Sequence, residues 1–337
     1  MFIELAPMEG VVDSIIRDLY TQIGGYDLCV TEFIRVTNQK IPEKVFYKYC
    51  PELKNKARTM SGVPVFVQLL GSDPNYMAEN ALTAKNLGAL GIDVNFGCPA
   101  KTVNNHGGGA SLLKDPSAIF KVLKEMRQAL PDSPLTAKVR LGFEDKVLHK
   151  EIAKAVEEGG ADWIAIHART KREAYRPPAH WEFIRSMRDE VQIPTIANGD
   201  IWNPEDWQKC AEVSGCNDFL LGRGAYARPS LANEIRIKNS STKNISRVHK
   251  RFPFLKNEAP ISPNKSELSW VEVKEKVEDF FHKGVEIHGQ DFAMRRVKQW
   301  TKFLSRNYIE SEELFDKLKR LNELPAFKQE LTNFKAF

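Results

Sequence analysis

The sequence lacks several features that would have pointed its reading elsewhere. No run of 18 or more apolar residues occurs in its 337 positions, so no membrane-spanning helix is expected. The N-terminus has no basic segment followed by a long apolar one, and the expectation is a cytoplasmic protein. Cysteine is scarce. Cys29, Cys50, Cys98, Cys210 and Cys216 form no Cys-x-x-Cys pair, which sets aside zinc and dithiol redox motifs, and no metal is expected. An odd number of them fits reduced thiols better than a disulfide framework. A GxGxxG turn is missing, which argues against a doubly wound dinucleotide sheet. So is a GxSxG elbow, which discards the esterase reading that His106-Gly107-Gly108-Gly109 would invite.

Net charge is absent from most of the sequence. Residues 1–238 hold 30 Lys and Arg against 30 Asp and Glu, whereas residues 239–337 hold 19 against 14. The whole net charge of +5 therefore lies in the last hundred residues. A neutral body with a basic appendage suggests a polyanionic partner for the appendage.

What is present is a repeating alternation. Short apolar, β-branched runs recur at 2–6, 28–31, 63–70, 91–96, 135–141, 163–167, 193–197 and 219–221. Segments with helical spacing lie between them, as at 115–130 (Ile119, Val122, Leu123, Met126) and 150–159. Eight βα units in succession predict an α/β fold, a (β/α)₈ TIM barrel over residues 1–240. Residues 241–337 are expected to form a linker and a small all-helical bundle.

A barrel of this kind places its active site at the C-terminal ends of the strands. Those ends read Pro7-Met8-Glu9, Glu32-Phe33-Ile34-Arg35, Gln68, Asn95 to Cys98, Lys138-Val139-Arg140, His167-Ala168-Arg169, Asn198-Gly199-Asp200 and Gly222-Arg223-Gly224. Every one carries a polar side chain. Cys98 is the most informative, because a thiol just beyond a strand can give or take a proton near neutral pH. A lone cysteine is otherwise as readily a small core residue. The last two endings offer glycine backbone N–H groups for a phosphate, with Arg223 adding a charge-assisted contact. A ring attached to that phosphate would face Lys138, Gln68 and His167, and a cation there suits a ring that turns anionic on reduction, as flavin does. The plainer alternatives are an ion pair of Lys138 with Glu9 or Asp93, and a satisfied core histidine at His167.

These endings, taken in order, resemble the tRNA-dihydrouridine synthases. The resemblance rests on Ala6-Pro7-Met8-Glu9-Gly10, Gln68-Leu69-Leu70-Gly71, Asn95-Phe96-Gly97-Cys98-Pro99, Lys138-Val139-Arg140-Leu141-Gly142, His167-Ala168-Arg169-Thr170, Asn198-Gly199-Asp200-Ile201 and Gly222-Arg223-Gly224-Ala225. Met8-Glu9-Gly10 and Arg296-Val297-Lys298-Gln299-Trp300 look most like the bacterial C subfamily, which modifies position 16 of the D-loop. The resemblance implies a flavin-dependent oxidoreductase that reduces the uracil C5=C6 bond in tRNA, with FMN as carrier and NADPH as reductant. It implies Cys98 as the general acid at C5, and Asn95 on the uracil edge. Pro7, Met8, Glu9, Gln68, Lys138, His167, Asn198, Gly199, Asp200, Gly222 and Arg223 would surround the cofactor. The protein is expected to act as a monomer. A flavin-dependent barrel acting on free pyrimidines or another small enone is the rival reading, but it leaves the basic appendage without a task.

The appendage follows a stretch rich in Asn, Ser, Lys and Pro between Lys238 and Trp270, which reads as a linker. Helical spacing then covers 269–284, 290–307 and 311–322, with Ser269 and Ser311 as expected helix starts. Arg295, Lys298, Lys302 and Arg306 share one helix face, suited to an RNA backbone. Arg296, from the same run, and the rim residues Arg35, Arg140, Tyr175 and Arg176 are expected to complete the RNA surface, and the loop 101–109 to be mobile.

Overall fold

Nine parallel strands form where the apolar runs predict them, with one addition. They are β1 (Ile3–Leu5), β2 (Leu28–Val30), β3 (Ile34–Arg35), β4 (Val65–Leu70), β5 (Ile92–Asn95), β6 (Leu135–Arg140), β7 (Trp163–His167), β8 (Thr195–Asn198) and β9 (Asp218–Leu221). The structure, a computed structural model, describes residues 1–240, 245–256 and 267–334. Strand β1 pairs with β2 and β9, β2 pairs with β4, and β4 to β9 pair in sequence, so eight strands close a ring. The extra strand β3 continues alongside the far end of β4 after a break at Thr31 to Phe33, where the Thr31 hydroxyl accepts from Gln68 N at 3.0 Å. Helices alternate with the strands around the ring. The (β/α)₈ barrel expected from the alternation is the fold observed.

The inward side chains change in character from one end of the ring to the other. At the N-terminal end Phe2, Phe66 and Trp163 are fully buried, with Trp163 centred 5.9 Å from Phe2 and 5.8 Å from Phe66. Val248 and Leu255 close this end, and Phe252 packs edge-on against Trp163 at 5.7 Å. The stretch that reads as a linker therefore contains a plug. Its apolar residues Val248, Phe252 and Leu255 recur at helical spacing within the basic helix Arg247–Arg251 and the turn after it, and composition alone concealed them. At the C-terminal end the inward groups turn polar. The register sets Asn95 beside Lys138, Arg140 beside His167, and His167 beside Asn198 along one rim.

Four helices follow, at Trp270–His288, Gln290–Leu304, Ile309–Leu318 and Leu324–Asn333. Ser269 caps the first through a capping box with Glu272, as expected. Ser311 does not start a helix. It lies inside Ile309–Leu318, and its buried hydroxyl donates to Thr301 O at 2.9 Å. Helix Gln290–Leu304 is clamped to the barrel. Trp300 is fully buried, stacks on Tyr226 at 5.9 Å, and donates from Nε1 to Tyr226 O at 3.1 Å. No helix among the described residues is long and apolar enough to cross a membrane.

Candidate active site at the C-terminal rim of the barrel

A cleft of about 780 Å³ opens at the polar end of the ring. Pro7, Met8, Glu9, Gln68, Lys138, His167, Asn198, Gly199, Asp200, Gly222 and Arg223 all line it, together with Cys98, Asn95, Arg140 and Tyr175. Sequence order scatters these residues over more than two hundred positions. The barrel brings them to one place because each ends, or follows, a parallel strand.

A hydrogen-bonded chain runs up from the buried Asp93. Its carboxylate accepts from Thr136 Oγ1 at 2.5 Å and from Gln68 Nε2 at 2.7 Å. Gln68 Oε1 accepts from Asn95 Nδ2 at 2.9 Å, and Asn95 Oδ1 accepts from Gly97 N at 2.9 Å. The chain fixes the Asn95 amide and the backbone leading into Cys98, while leaving Asn95 one N–H and one lone pair for a guest. Asp93 is thus held by neutral donors and forms no ion pair with Lys138 among the described residues.

Cys98 follows on a loop that doubles back. Its carbonyl accepts from Ala110 N at 3.1 Å and from Asn104 Nδ2 at 3.0 Å. Gly109 makes this return possible: its φ is +58°, and a Cβ there would stand 2.9 Å from Val103 and 3.0 Å from the Cys98 carbonyl. Where the sequence reads as loop, Lys101–Asn104 forms a helical turn. The Cys98 thiol is half-buried, and burial pushes it above the ordinary thiol value. It is therefore a neutral S–H at pH 7. The other four cysteines are buried away from the cleft.

One cation of the rim stands apart from the ion pairs around it. Lys138 makes no hydrogen bond or ion pair among the described residues, and burial, reinforced by the charge of Arg140, lowers its amine to about 8. Burial also drives His167 well below the usual imidazole range, helped by Arg140, Lys138, Arg169 and Arg223. It stays neutral at pH 7, offering one donor and one acceptor. Such a gathering of positive charge fits an anionic occupant. The turns after β8 and β9 fit a phosphate. Gly199 sits at φ +125°, and Gly224 packs so tightly that a Cβ would lie 1.8 Å from Ile201 O. Gly222 lines the cleft, where a Cβ would be in ordinary contact with Ala6 and Met8 at 3.5 Å. Asp200 braces Arg169 and accepts from Arg223 at 3.3 Å. Glu9, on the opposite turn, is raised to about 7 by burial and by the charge of Glu32, whose own carboxylate accepts from Gly10 N at 2.5 Å.

Two residues read as RNA contacts are buried and bound to backbone carbonyls, Arg140 in the lining of the cleft and Arg296 outside it. Arg140 is buried, with Nε on Gly97 O at 2.7 Å and Nη1 on Thr170 O at 3.1 Å and Ala174 O at 3.0 Å. It braces the cysteine loop from beneath. Arg296 is buried as well, donating to Gly10 O at 2.7 Å and to Val11 O, and pairing with Asp13 at 3.2 Å. It locks the C-terminal helix to the turn after β1. Helical spacing alone could not separate it from its exposed neighbour Arg295. Lys298 is partly exposed and donates to Asn322 Oδ1 at 3.1 Å. Tyr175 and Arg176 are exposed at the rim, and Arg35 borders a separate hollow of about 350 Å³ with His106. Sequence reasoning missed Phe33, Trp202 and Phe303, which also line the cleft. Phe303 comes from the C-terminal helix, and no strand-end rule points to it.

Known proteins of one family are similar to this chain over most of its length. The family described as Dihydrouridine synthase (Dus) matches residues 4–323. A tRNA-dihydrouridine(16) synthase of Shewanella oneidensis is 46% identical over 320 residues, covering 95% of this chain and 93% of its own. One from Aquipseudomonas alcaligenes is 44% identical over 330 residues, covering 98% of both. One from Haemophilus influenzae is 42% identical over 321 residues, covering 95% of both. With the family's match spanning the barrel and most of the helical region, the chain belongs to the dihydrouridine synthases.

Proposed function

We propose that the protein reduces a uridine of the tRNA D-loop, at position 16, to 5,6-dihydrouridine. FMN would be its flavin and NADPH its reductant. The observation that carries this reading is the neutral Cys98 thiol beside an unpaired Lys138 in one large cleft. The position follows the relatives named above.

Gly199, Gly222 and Arg223 would hold the cofactor's phosphate, and Lys138 and His167 its ring. When bound, FMN supplies a hydride, received from NADPH, to C6 of the base. As that hydride arrives, Cys98 would give its Sγ proton to C5, so the C5=C6 π pair becomes the new C5–H bond and a thiolate remains. Burial raises the thiol's proton affinity, so that thiolate regains a proton readily from solvent. Asn95 holds the uracil edge, and Arg140 keeps the loop in place through Gly97 O. The target base must leave its stack to reach the cleft, at about a few kcal/mol. Exposed Arg295, Lys302 and Arg306, with Lys298, would neutralise backbone phosphates. The protein would work as a cytoplasmic monomer, with residues 241–337 serving RNA binding.

Purified protein should carry a yellow chromophore that mass spectrometry identifies as FMN. Supplied with NADPH and unmodified tRNA, it should form dihydrouridine at position 16, and leave free uridine unreduced. Turnover of free uridine at a rate matching tRNA would instead favour a small-molecule reductase.

A further inference from the structure

The basic face of helix Gln290–Leu304 and the cleft are joined by one side chain that no strand-end motif marks. Trp202 follows β8, and its position is fixed by the next helix: Trp202 N donates to Asp206 Oδ2 at 3.1 Å, and Asn203 caps that helix through Asp206 N at 2.7 Å. Its indole lines the cleft beside Phe303. The guanidinium of Arg306 lies 4.4 Å from its ring centre, and that of Arg223 lies 5.2 Å away. Arg223 also lies 4.7 Å from the exposed ring of Tyr175. Arg306, Trp202, Arg223 and Tyr175 thus alternate cation and aromatic from the helical region to the cleft mouth.

Two further facts single this ladder out. Arg306 is exposed and has no carboxylate partner among the described residues, and it ends the stripe of Arg295, Lys298 and Lys302. The chain just beyond it is pinned to the barrel, with Asn307 Nδ2 on Ala227 O at 2.8 Å, so the contact is not a chance swing of a terminus. The exposed Arg306 is an exchangeable occupant of the indole: an unpaired nucleobase can take its place over the ring while the displaced guanidinium neutralises a phosphate of the same strand.

We propose that Trp202, with Arg306, is a positioning platform for a nucleotide adjacent to the target uridine, guiding the strand from the basic helix into the cleft. The proposal rests on the reaction assigned above. It concerns a single-stranded RNA segment and not the dinucleotide reductant, because Arg306 belongs to the stripe of the helical region.

The test uses the flavin-loaded enzyme and its Trp202→Ala, Trp202→Phe and Arg306→Gln variants. Trp202→Ala should weaken tRNA binding by about 5- to 100-fold, the range for losing one stacked base. The loss should appear in KM for tRNA, with flavin content held and the salt slope unchanged. Trp202→Phe should recover most of the affinity, and Arg306→Gln should lower the salt slope by about one. Wild-type tRNA affinity in Trp202→Ala would overturn the platform. So would a parallel loss of flavin, or a rise in KM for NADPH in place of tRNA. Should the wild-type enzyme bind tRNA through Trp202 yet form no dihydrouridine, the platform would stand and the assigned reaction would fall.

Discussion

The two ends of the barrel treat charge in opposite ways. At the N-terminal end every carboxylate named here is matched. Asp218 accepts from Phe2 N at 2.7 Å and Ser246 Oγ at 2.9 Å. Asp162 accepts from Leu135 N at 2.8 Å and pairs with Arg127 at 2.7 Å and with Arg251. Asp27 accepts from Ile3 N at 2.8 Å and pairs with Arg236 and with His249, the latter at 3.4 Å. At the C-terminal end Lys138 has no partner, His167 is kept neutral, and Glu9 hovers near neutrality. One end satisfies its charges internally and holds the ring together. The other leaves Lys138 without a partner among the described residues, although Asp200 pairs with Arg169 and Arg223 beside it.

The sharpest way to break this comparison is at Cys98. Cys98→Ala should lower dihydrouridine formation by about 100- to 10,000-fold, the span of a lost general acid, while flavin content and Tm stay at the wild-type values. An unfolding scan and quantification of modified tRNA check both halves. At the opposite end Asp162→Ala should do the reverse. Removing it leaves the buried Leu135 N without its acceptor, while Arg127 keeps its backbone carbonyls and Arg251 is exposed, and should cost about 1–3 kcal/mol of stability in a denaturant titration, with turnover per folded molecule unchanged.

Lys138→Met sharpens the contrast more gently. Retention of flavin should fall by about tenfold or more, but stability of the flavin-free protein should hold or rise, since an unpaired cation leaves a poor environment. Lys138 is charged below about pH 8 and loses its proton as pH rises through that value. Affinity for an anionic occupant should therefore decline above pH 8 in the wild type, and show no such step in Lys138→Met. Asp27 has the opposite sign. Burial opposes its charge, but the His249 hydrogen bond and Arg236 outweigh that and hold it below the usual carboxylate range. The stability it lends is complete above the unfolded carboxylate value and is lost as pH falls through the lowered one. Asp27→Asn should flatten the acid limb of the stability curve. The smallest effect is on the outer surface: Arg295→Glu with Lys298→Glu should weaken tRNA binding and flatten its salt dependence, with flavin content normal.

The contrast also explains what was legible in the sequence. Parallel strands read clearly, because β-branched runs followed by polar endings are local signals, and the strand-end residues expected around a cofactor all line the cleft. Cys98 and its motif were legible for the same reason. Strand β3 was not, since two residues carry no periodicity. The plug at Val248, Phe252 and Leu255 lay hidden in a basic, proline-rich stretch, because its partners Phe2 and Trp163 are far away in the chain. The charge of Arg296 and Arg140 is visible in a sequence, whereas their burial against backbone carbonyls is not. Trp202 and Phe303 were invisible for the converse reason: an aromatic residue in a loop or on a helix reads as core until the fold turns it toward a cleft.

The most direct test of Cys98 as acid at the open end is a single turnover that needs no reductant in solution. Wild-type and Cys98→Ala enzymes are reduced beforehand, freed of excess reductant, and mixed with unmodified tRNA while flavin absorbance is followed. The account predicts rapid reoxidation in the wild type, with one dihydrouridine formed per flavin, and reoxidation slowed at least about 100-fold in the variant. Equal rates in the two proteins would contradict it.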